Sequence, residues 1–344
     1  MVSTSKLIFN TILTIQPLGG KVTIVVRSLD MYKKKISKIN KKSSILILGS
    51  TGMIGSRLLK KLQDENYANL LHPTRKELDL NIQSDVNKYF KLHKPDIVFH
   101  LAAIVGGIKA NNDFPAKFIY ENTIMQSNIF NASHENNVKQ IIFPGSACTY
   151  PKFAKQPINE DSFLDGKIEP TNIAYAAAKI NGIITAQSFA KQYDMDIVVP
   201  MPTNTYGIGD HFDPEKSHVI PALMKRFHDA KKQNLESIKI WGSGNALREF
   251  IYVDDFVSGL LFLAENYNSS EIINLSTMDE ISIKDLANKI ANVVGYKGKI
   301  MFDTSKPDGA PRKCLDNKKI TDLGWKPTTS LDQGLQLTYD FYFS

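Results

Sequence analysis

The 344-residue chain is predicted to fold as an α/β protein, with a parallel sheet covered by helices on both faces and a smaller α/β domain after it. Three observations predict this. Short apolar runs alternate with segments of helical periodicity from Ser44 to about residue 205. A glycine-spaced loop joins the first run to the first helix, and beyond residue 205 the alternation becomes irregular.

The elements follow in order. "SSILILG" is an apolar run ended by glycine, the pattern of a buried strand, and "MIGSRLLKKLQDEN" carries apolar residues at helical spacing. "NLLHP" reads as a second strand, "DVNKYFKLHK" as a helix and "PDIVFHLAA" as a third strand. After the loop "IVGGIKANND" come a long helix over 115–136, a fourth strand in "VKQIIFPGS", a second long helix over 172–193 and a fifth strand in "MDIVVPMPTN". Strands joined through helices run parallel and are buried on both faces. Past residue 205, "SHVIPALMKRFHDAKKQ" is helical, "SIKIWG" and "REFIYV" are short strands, and "DDFVSGLLFLAEN" is a helix. "EIINLS", "SIKDLANKIANVVG" and "GKIMFD" continue the mixture to a final helix near 331–342. Residues 44–205 thus form the main domain, to which some later segments return, and 206–344 the smaller one.

Composition narrows the function. With 42% hydrophobic residues the chain can bury the core of one large domain or two smaller ones. The formal net charge is +7, but nine basic residues and a single acid, Asp30, lie in residues 1–43. The remainder holds one more acid than it holds bases, which excludes a nucleic-acid backbone footprint. Two cysteines, Cys148 and Cys314, cannot make a disulfide framework, and no CxxC motif or Cys/His cluster suggests a metal. A reducing compartment, the cytoplasm, fits. No segment reaches the roughly 18 apolar residues that a membrane span needs. Residues 1–43 read as a basic N-terminal extension, disordered or artefactual, with Met31 as an alternative start. As a transit peptide they are short of arginine.

"GSTGMIGS" sets glycines at 49, 52 and 55 between the first strand and the first helix. Gly49 permits a tight turn, Gly52 lets a pyrophosphate approach the backbone and Gly55 lets the helix pack on the strand. The helix N-terminus favours the anion. This is a dinucleotide site on a Rossmann-type doubly wound sheet. An acid at the end of the second strand would select NAD; "HPTRKELDL" offers Arg75 instead, which can pair with a 2′-phosphate. NADP is therefore expected, although Arg75 also reads as an ordinary solvated arginine.

"YAAAK" puts Tyr175 and Lys179 four residues apart on one helix face. A neighbouring ammonium is expected to bring the phenol towards its working range. Ser146, at the carboxyl end of the fourth strand, adds a hydrogen bond to a substrate oxygen. Cys148 lies two residues on, so in an extended chain both side chains point one way. It reads either as a small buried hydrophobe or as a base.

Serine, tyrosine and lysine together with the glycine loop and "REFIYVDDF" resemble the extended short-chain dehydrogenase/reductase superfamily. That superfamily includes reductases, 4,6-dehydratases and 4-epimerases of nucleotide sugars. Longer segments are more specific. "VGGIKANNDFPAKFIYEN" (105–122), "GSACTYPK" (145–152), "QPINEDSFLDGKIEPTNIAYAAAKI" (156–180), "SHVIPALMKRFHDA" (217–230), "IWGSGNALREFIYVDD" (240–255) and "SKPDGAPRK" (305–313) resemble the GDP-L-fucose synthase family across residues 44–342.

The resemblance implies C3/C5 epimerisation of GDP-4-keto-6-deoxy-D-mannose and reduction at C4 with NADPH. It makes Cys148 and His218 the base and acid on opposite faces, with Ser146, Tyr175 and Lys179 serving reduction. It assigns the cofactor to Gly49, Ser50, Thr51, Gly52, Met53, Ile54, Gly55, Arg75, Ala102, Gly145, Ser146, Lys179, Pro202, Thr203 and Asn204. It assigns the sugar nucleotide to His218, Arg226, Trp241, Arg248, Asp308 and Lys313, in a C-terminal substrate-binding domain. It also implies a homodimer through helices 115–136 and 172–193. Ser50 and Thr51 stand where some relatives carry a basic residue, which leaves Arg75 to select NADP. The alternative is another NAD(P)-dependent nucleotide-sugar 4-epimerase or 4,6-dehydratase. A dehydratase would want a carboxylate pair that "GSACTYP" lacks. A catalytically idle scaffold would not need Ser146, Cys148, Tyr175, Lys179 and His218 together.

Overall fold

The structure is a computed structural model that describes residues 11–18, 21–28, 39–213, 217–306 and 308–343. It divides into two compact units, Met1–Ile36 and Ser37–Ser344. In the first, β1 (Thr11–Leu18) pairs antiparallel with β2 (Lys21–Ser28), from Thr11 opposite Ser28 to Leu18 opposite Lys21. These two segments form a hairpin. The rest of the extension as far as residue 38 lies outside the described residues.

In the second unit the packed chain starts before Ser44: Ile39 is buried in one core with Ile45, Leu58 and Trp325. The elements that follow are β3 (Ser44–Leu48), α1 (Met53–Asp64), β4 (Asn69–Leu71), α2 (Gln83–His93), β5 (Ile97–His100), α3 (Ile108–Asp113), α4 (Pro115–Glu135), β6 (Gln140–Ile142), α5 (Ile173–Tyr193) and β7 (Ile197–Pro202). Then come β8 (Asn204–Tyr206), α6 (Val219–Lys232), β9 (Ser237–Trp241), β10 (Leu247–Tyr252), α7 (Val253–Asn266), β11 (Ile272–Leu275), β12 (Glu280–Ser282), α8 (Ile283–Val294), β13 (Lys299–Asp303), β14 (Arg312–Lys313), α9 (Lys318–Asp322) and α10 (Leu331–Phe343). Among the described residues no helix is long and apolar enough to cross a membrane.

The main sheet is parallel in the order β11-β7-β6-β5-β3-β4. β3 serves both of its faces. Ile45 and Ile47 join α1 and α7 in one core, while Leu46 and Leu48 join α2, α4 and α5 in the other, as alternating side chains must. The chain leaves β3 to one side for β4 and comes back to the other side for β5. This reversal opens a crevice at the strands' carboxyl ends, where ligands bind in such sheets. Although α7 and β11 lie beyond residue 205, they belong to this layer, because β7 takes β11 as its outer neighbour. The second lobe centres on β10, which pairs with β8 and β14 in parallel and with β12 antiparallel; β9 and β13 form a separate pair. Its core packs Leu223, Met224 and Phe227 of α6 against Leu286 and Ile290 of α8 and Leu335 of α10.

Candidate active site

The glycine loop is dictated by close approach. Gly49 has φ +87°, in the left-handed region, and a Cβ there would stand 2.7 Å from the Ala102 amide nitrogen. A Cβ on Gly55 would stand 2.1 Å from the Gly49 carbonyl oxygen, so α1 packs this tightly on the turn only with glycine. Gly52 caps α1, and no acid sits in the first turn, so the exposed N–H groups and helix dipole favour an anion. Ser50 Oγ donates to the His72 carbonyl at 3.3 Å and ties the loop to the end of β4.

A cleft of about 270 Å³ runs from this loop past Arg75, Asp79, Asn81, Ala102 and Met125. It brings Gly49, Thr51, Gly52, Arg75 and Ala102 together as expected, and the loop that a Cβ would fill suits a dinucleotide's phosphates. Arg75 is exposed, with its guanidinium 3.8 Å from Glu121 on α4. Met53 and Ile54 are partly buried beneath the loop. Thr203 and Asn204 donate their side chains to the Glu249 carbonyl, and Pro202 stands opposite Leu275, so this stretch joins the two sheets. Sequence reasoning missed Asp79 and Asn81, which follow the apolar Leu78 and carry no motif of their own.

Beyond β6 the chain passes Pro144 and Gly145 to Ser146, which opens a 3-10 turn over Ala147–Thr149. The extended chain assumed from the sequence is not found here. Ser146 Oγ accepts the Cys148 N–H at 3.1 Å and Thr149 Oγ1 donates to the Ser146 carbonyl at 2.8 Å. Such local bonds compete with a continuing strand. Tyr175, in the first turn of α5, reaches both neighbours: its phenol has Ser146 as a hydrogen-bond partner and feels the charge of Cys148. Its ring meets Phe118 edge-on at 6.3 Å.

Burial, more than either neighbour, pushes the Tyr175 phenol up. The expected pull from Lys179 is not found. Lys179 is 6% exposed; its Nζ donates to the Pro144 carbonyl at 2.8 Å and lies 4.7 Å from the Phe143 ring centroid. Burial brings its ammonium down to about 8. The phenol therefore holds its proton at neutral pH, as a donor to a ketone oxygen should. His100, at the end of β5, was also missed. It is buried with its ring 5.3 Å from that of Phe143, and burial followed by the Lys179 charge takes it down to about 3, so it stays neutral. A histidine at the carboxyl end of a parallel strand was the available signal.

A second cleft, of about 520 Å³, is lined by Cys148, Tyr150, Lys152 and Gln156, by Glu169 and Asn172 ahead of α5, by Asn204 and Arg248, and by Asp308, Arg312 and Lys313. Three expected sugar-nucleotide residues thus meet: Arg248, Asp308 and Lys313. Asp308 accepts the Ser243 N–H at 2.6 Å and its hydroxyl at 2.7 Å, and its charge faces the half-buried Arg248 guanidinium. Trp241 is 69% exposed at the end of β9, and Arg226 donates to the Lys239 carbonyl. Neither is among the residues that line the cleft, and nor is His218, exposed at the N-cap of α6. His218 lies near Asp210, whose carboxyl is pushed up by burial despite that neighbour. Lys152 and Glu169, paired at 2.9 Å in the cleft wall, carried no spacing signal in the sequence.

Comparison with known proteins bears on this arrangement. The NAD dependent epimerase/dehydratase family matches residues 45–276. GDP-L-fucose synthase 1 of Arabidopsis thaliana is 46% identical over 306 residues, which is 89% of this chain and 95% of that protein. The chain belongs to the GDP-L-fucose synthase branch of this family. Among solved members of the wider fold, a GDP-L-fucose synthetase from Naegleria fowleri bound to NADP superposes with a TM-score of 0.82 at 29% identity, covering 88% of this chain and 95% of that one. A GDP-mannoheptose C4 reductase from Campylobacter jejuni with NADP bound gives 0.81 at 34% identity, covering 89% of this chain and all of that one.

Proposed function

We propose that the chain converts GDP-4-keto-6-deoxy-D-mannose to GDP-L-fucose by epimerisation at C3 and C5 and reduction at C4 with NADPH. One observation carries the reading: a thiol, Cys148, shares its surroundings with the Ser146 and Tyr175 hydroxyls at the mouth of a sugar-sized cleft. Reduction alone needs no thiol. Protons alpha to a ketone leave because the enolate places its charge on the carbonyl oxygen. Donors that serve reduction at that oxygen also stabilise the enolate. Cys148 takes the proton from one face and His218 returns one from the other. Tyr175, kept protonated by burial, then gives its proton to the C4 oxygen. NADPH, when bound, supplies the hydride. The glycine loop, Arg75 and Lys179 would hold it.

A second reading, a C4 reductase without epimerisation, is favoured by the absence of His218 from the residues lining the Cys148 cleft. One incubation separates the two. With GDP-4-keto-6-deoxy-D-mannose and NADPH, NMR of the product should give GDP-L-fucose; a C4-reduced sugar with unchanged C3 and C5 would leave only the reductase. The reading extends to a cytoplasmic homodimer. Free Cys148 and Cys314 suit a reducing compartment, and exposed Ile119, Tyr120 and Ile184 on α4 and α5 suit a helical C2 interface. Light scattering that gave only monomer at micromolar concentration would remove the dimer.

A further inference from the structure

Lys313 belongs to the cleft by sequence, but its Nζ lies 3.8 Å from Cys148 Sγ. The cleft's other cations are differently engaged. Lys152 pairs with Glu169, Arg312 with Glu280, and Arg248 faces Asp308. The reach of Lys313 is also built. Residues 312–315 form a strap gripped at each step. Arg312 makes two bonds to Glu280, at 2.7 and 2.5 Å, and stands opposite Leu247 on β10. Gln156 grips the strap's backbone, donating to the Arg312 carbonyl at 3.3 Å and accepting the Cys314 N–H at 3.0 Å. The buried Glu249 carboxylate accepts the Leu315 N–H at 2.8 Å. With Arg312 and Cys314 engaged on one side, alternation sends Lys313 to the other, towards the 3-10 turn.

We propose that Lys313 is a positioning residue for Cys148, its ammonium stabilising the thiolate that acts as the base. The strap that carries it would thereby couple the second lobe to the chemistry at β6. The role of the base rests on the proposed function. In the step, the sugar's C–H bond breaks, its proton joins sulfur, and its electron pair forms the enolate, whose charge lies on the C4 oxygen near Ser146 and Tyr175. The carbon regains a proton from the opposite face, and the thiol passes its own to water. Charge is conserved, and no oxidant or reductant is used.

The test needs no sugar, so it stands apart from the assignment of the reaction. The full chain is alkylated with iodoacetamide across pH 6–10, and Cys148 labelling is read by peptide mass spectrometry, which separates it from buried Cys314. An opposite charge at this range shifts a titrating group by one unit or more, so Lys313→Met should slow Cys148 alkylation at pH 7 about tenfold. Lys313→Arg should restore most of it. NADPH binding, followed by fluorescence, should be retained and so certify the fold. The unmodified protein, minus Cys148→Ser, should also show thiolate absorbance near 240 nm at neutral pH, a measurement that requires no Lys313 variant. Equal alkylation in the wild type and Lys313→Met, or no thiolate absorbance at neutral pH, would overturn the proposal. If the thiol behaves as stated and no GDP-L-fucose forms, only the reaction assignment falls.

Discussion

Lys179 Nζ donates to the Pro144 carbonyl oxygen at 2.8 Å, which pins α5 to the chain leaving β6. The same bond fixes Tyr175 one turn away, so the spacing of the two residues on the helix becomes a fixed distance from Ser146. Burial has brought this ammonium down to about 8, and the neighbouring phenol has been pushed the other way.

A pH dependence follows. The ammonium is the form that donates to Pro144, and it is lost as pH rises through about 8. The phenol, raised by burial, keeps its proton over that range. The kcat/KM for NADPH, which reports the free enzyme, should therefore fall on the alkaline side through that region. Lys179→Arg, whose guanidinium does not titrate there, should be slower overall but should lose that limb. An alkaline limb unchanged in Lys179→Arg would assign it to another group.

Arg75→Ala should weaken NADPH far more than NADH. Arg75 lines the loop cleft beyond the end of β4, and no acid stands between that strand and Arg75 in the chain. A hydrogen bond to a charged group contributes about 1.5–3 kcal/mol, or roughly tenfold to a hundredfold in KM. Equal losses for the two cofactors, measured by steady-state kinetics, would show that Arg75 does not read the 2′-phosphate.

What was legible in the sequence was whatever depends on local pattern. Ile45 to Leu48 read as a buried strand because all four are apolar, and the glycines at 49 and 55 because backbone passes too close for any Cβ. The Ser146–Cys148 geometry was misread, since a serine bonding to its own backbone two residues on leaves no hydrophobic signature. The fall of Lys179 and the rise of Tyr175 come from burial beneath Phe118, Phe143 and their neighbours, which is tertiary. Lys313 was legible as a cleft residue, but its contact with Cys148 spans 165 positions and depends on the grip of Gln156 and Glu249.

The start of the packed chain gives a simple stability test. Ile39 is 4% exposed and packs with Ile45 and Leu58, and Ser43 Oγ accepts the Asn40 N–H at 3.0 Å. A chain beginning at Ser37 should therefore be more stable than one beginning at Ser44. The difference is expected at about 1.5–3 kcal/mol, the burial of one large aliphatic side chain. Denaturant unfolding would measure it, and equal midpoints would mean that Ile39 adds nothing to the core.

In the proposed reaction, the two chemistries separate on Cys148 and Tyr175. Cys148→Ser leaves Ser146, Tyr175 and Lys179 in place, and the turn's bond from the residue 148 N–H to Ser146 Oγ involves only backbone on the substituted side. Reduction should survive. A serine hydroxyl gives up its proton far less readily than a thiol, so it cannot serve as the base at neutral pH. Solvent deuterium should then fail to enter C3 and C5 of the 4-keto sugar when NADPH is withheld. With NADPH present, the unepimerised sugar should be reduced slowly to a GDP-6-deoxyhexose other than fucose. Tyr175→Phe should show the converse, losing the proton donor to the C4 oxygen and with it most reduction, while exchange falls only as far as the enolate leans on the phenol. General acid–base groups typically contribute about 10²–10⁴-fold, so both losses lie within reach of NMR and of absorbance at 340 nm. Wild-type exchange in Cys148→Ser would make the thiol a packing residue and move the base elsewhere in the cleft.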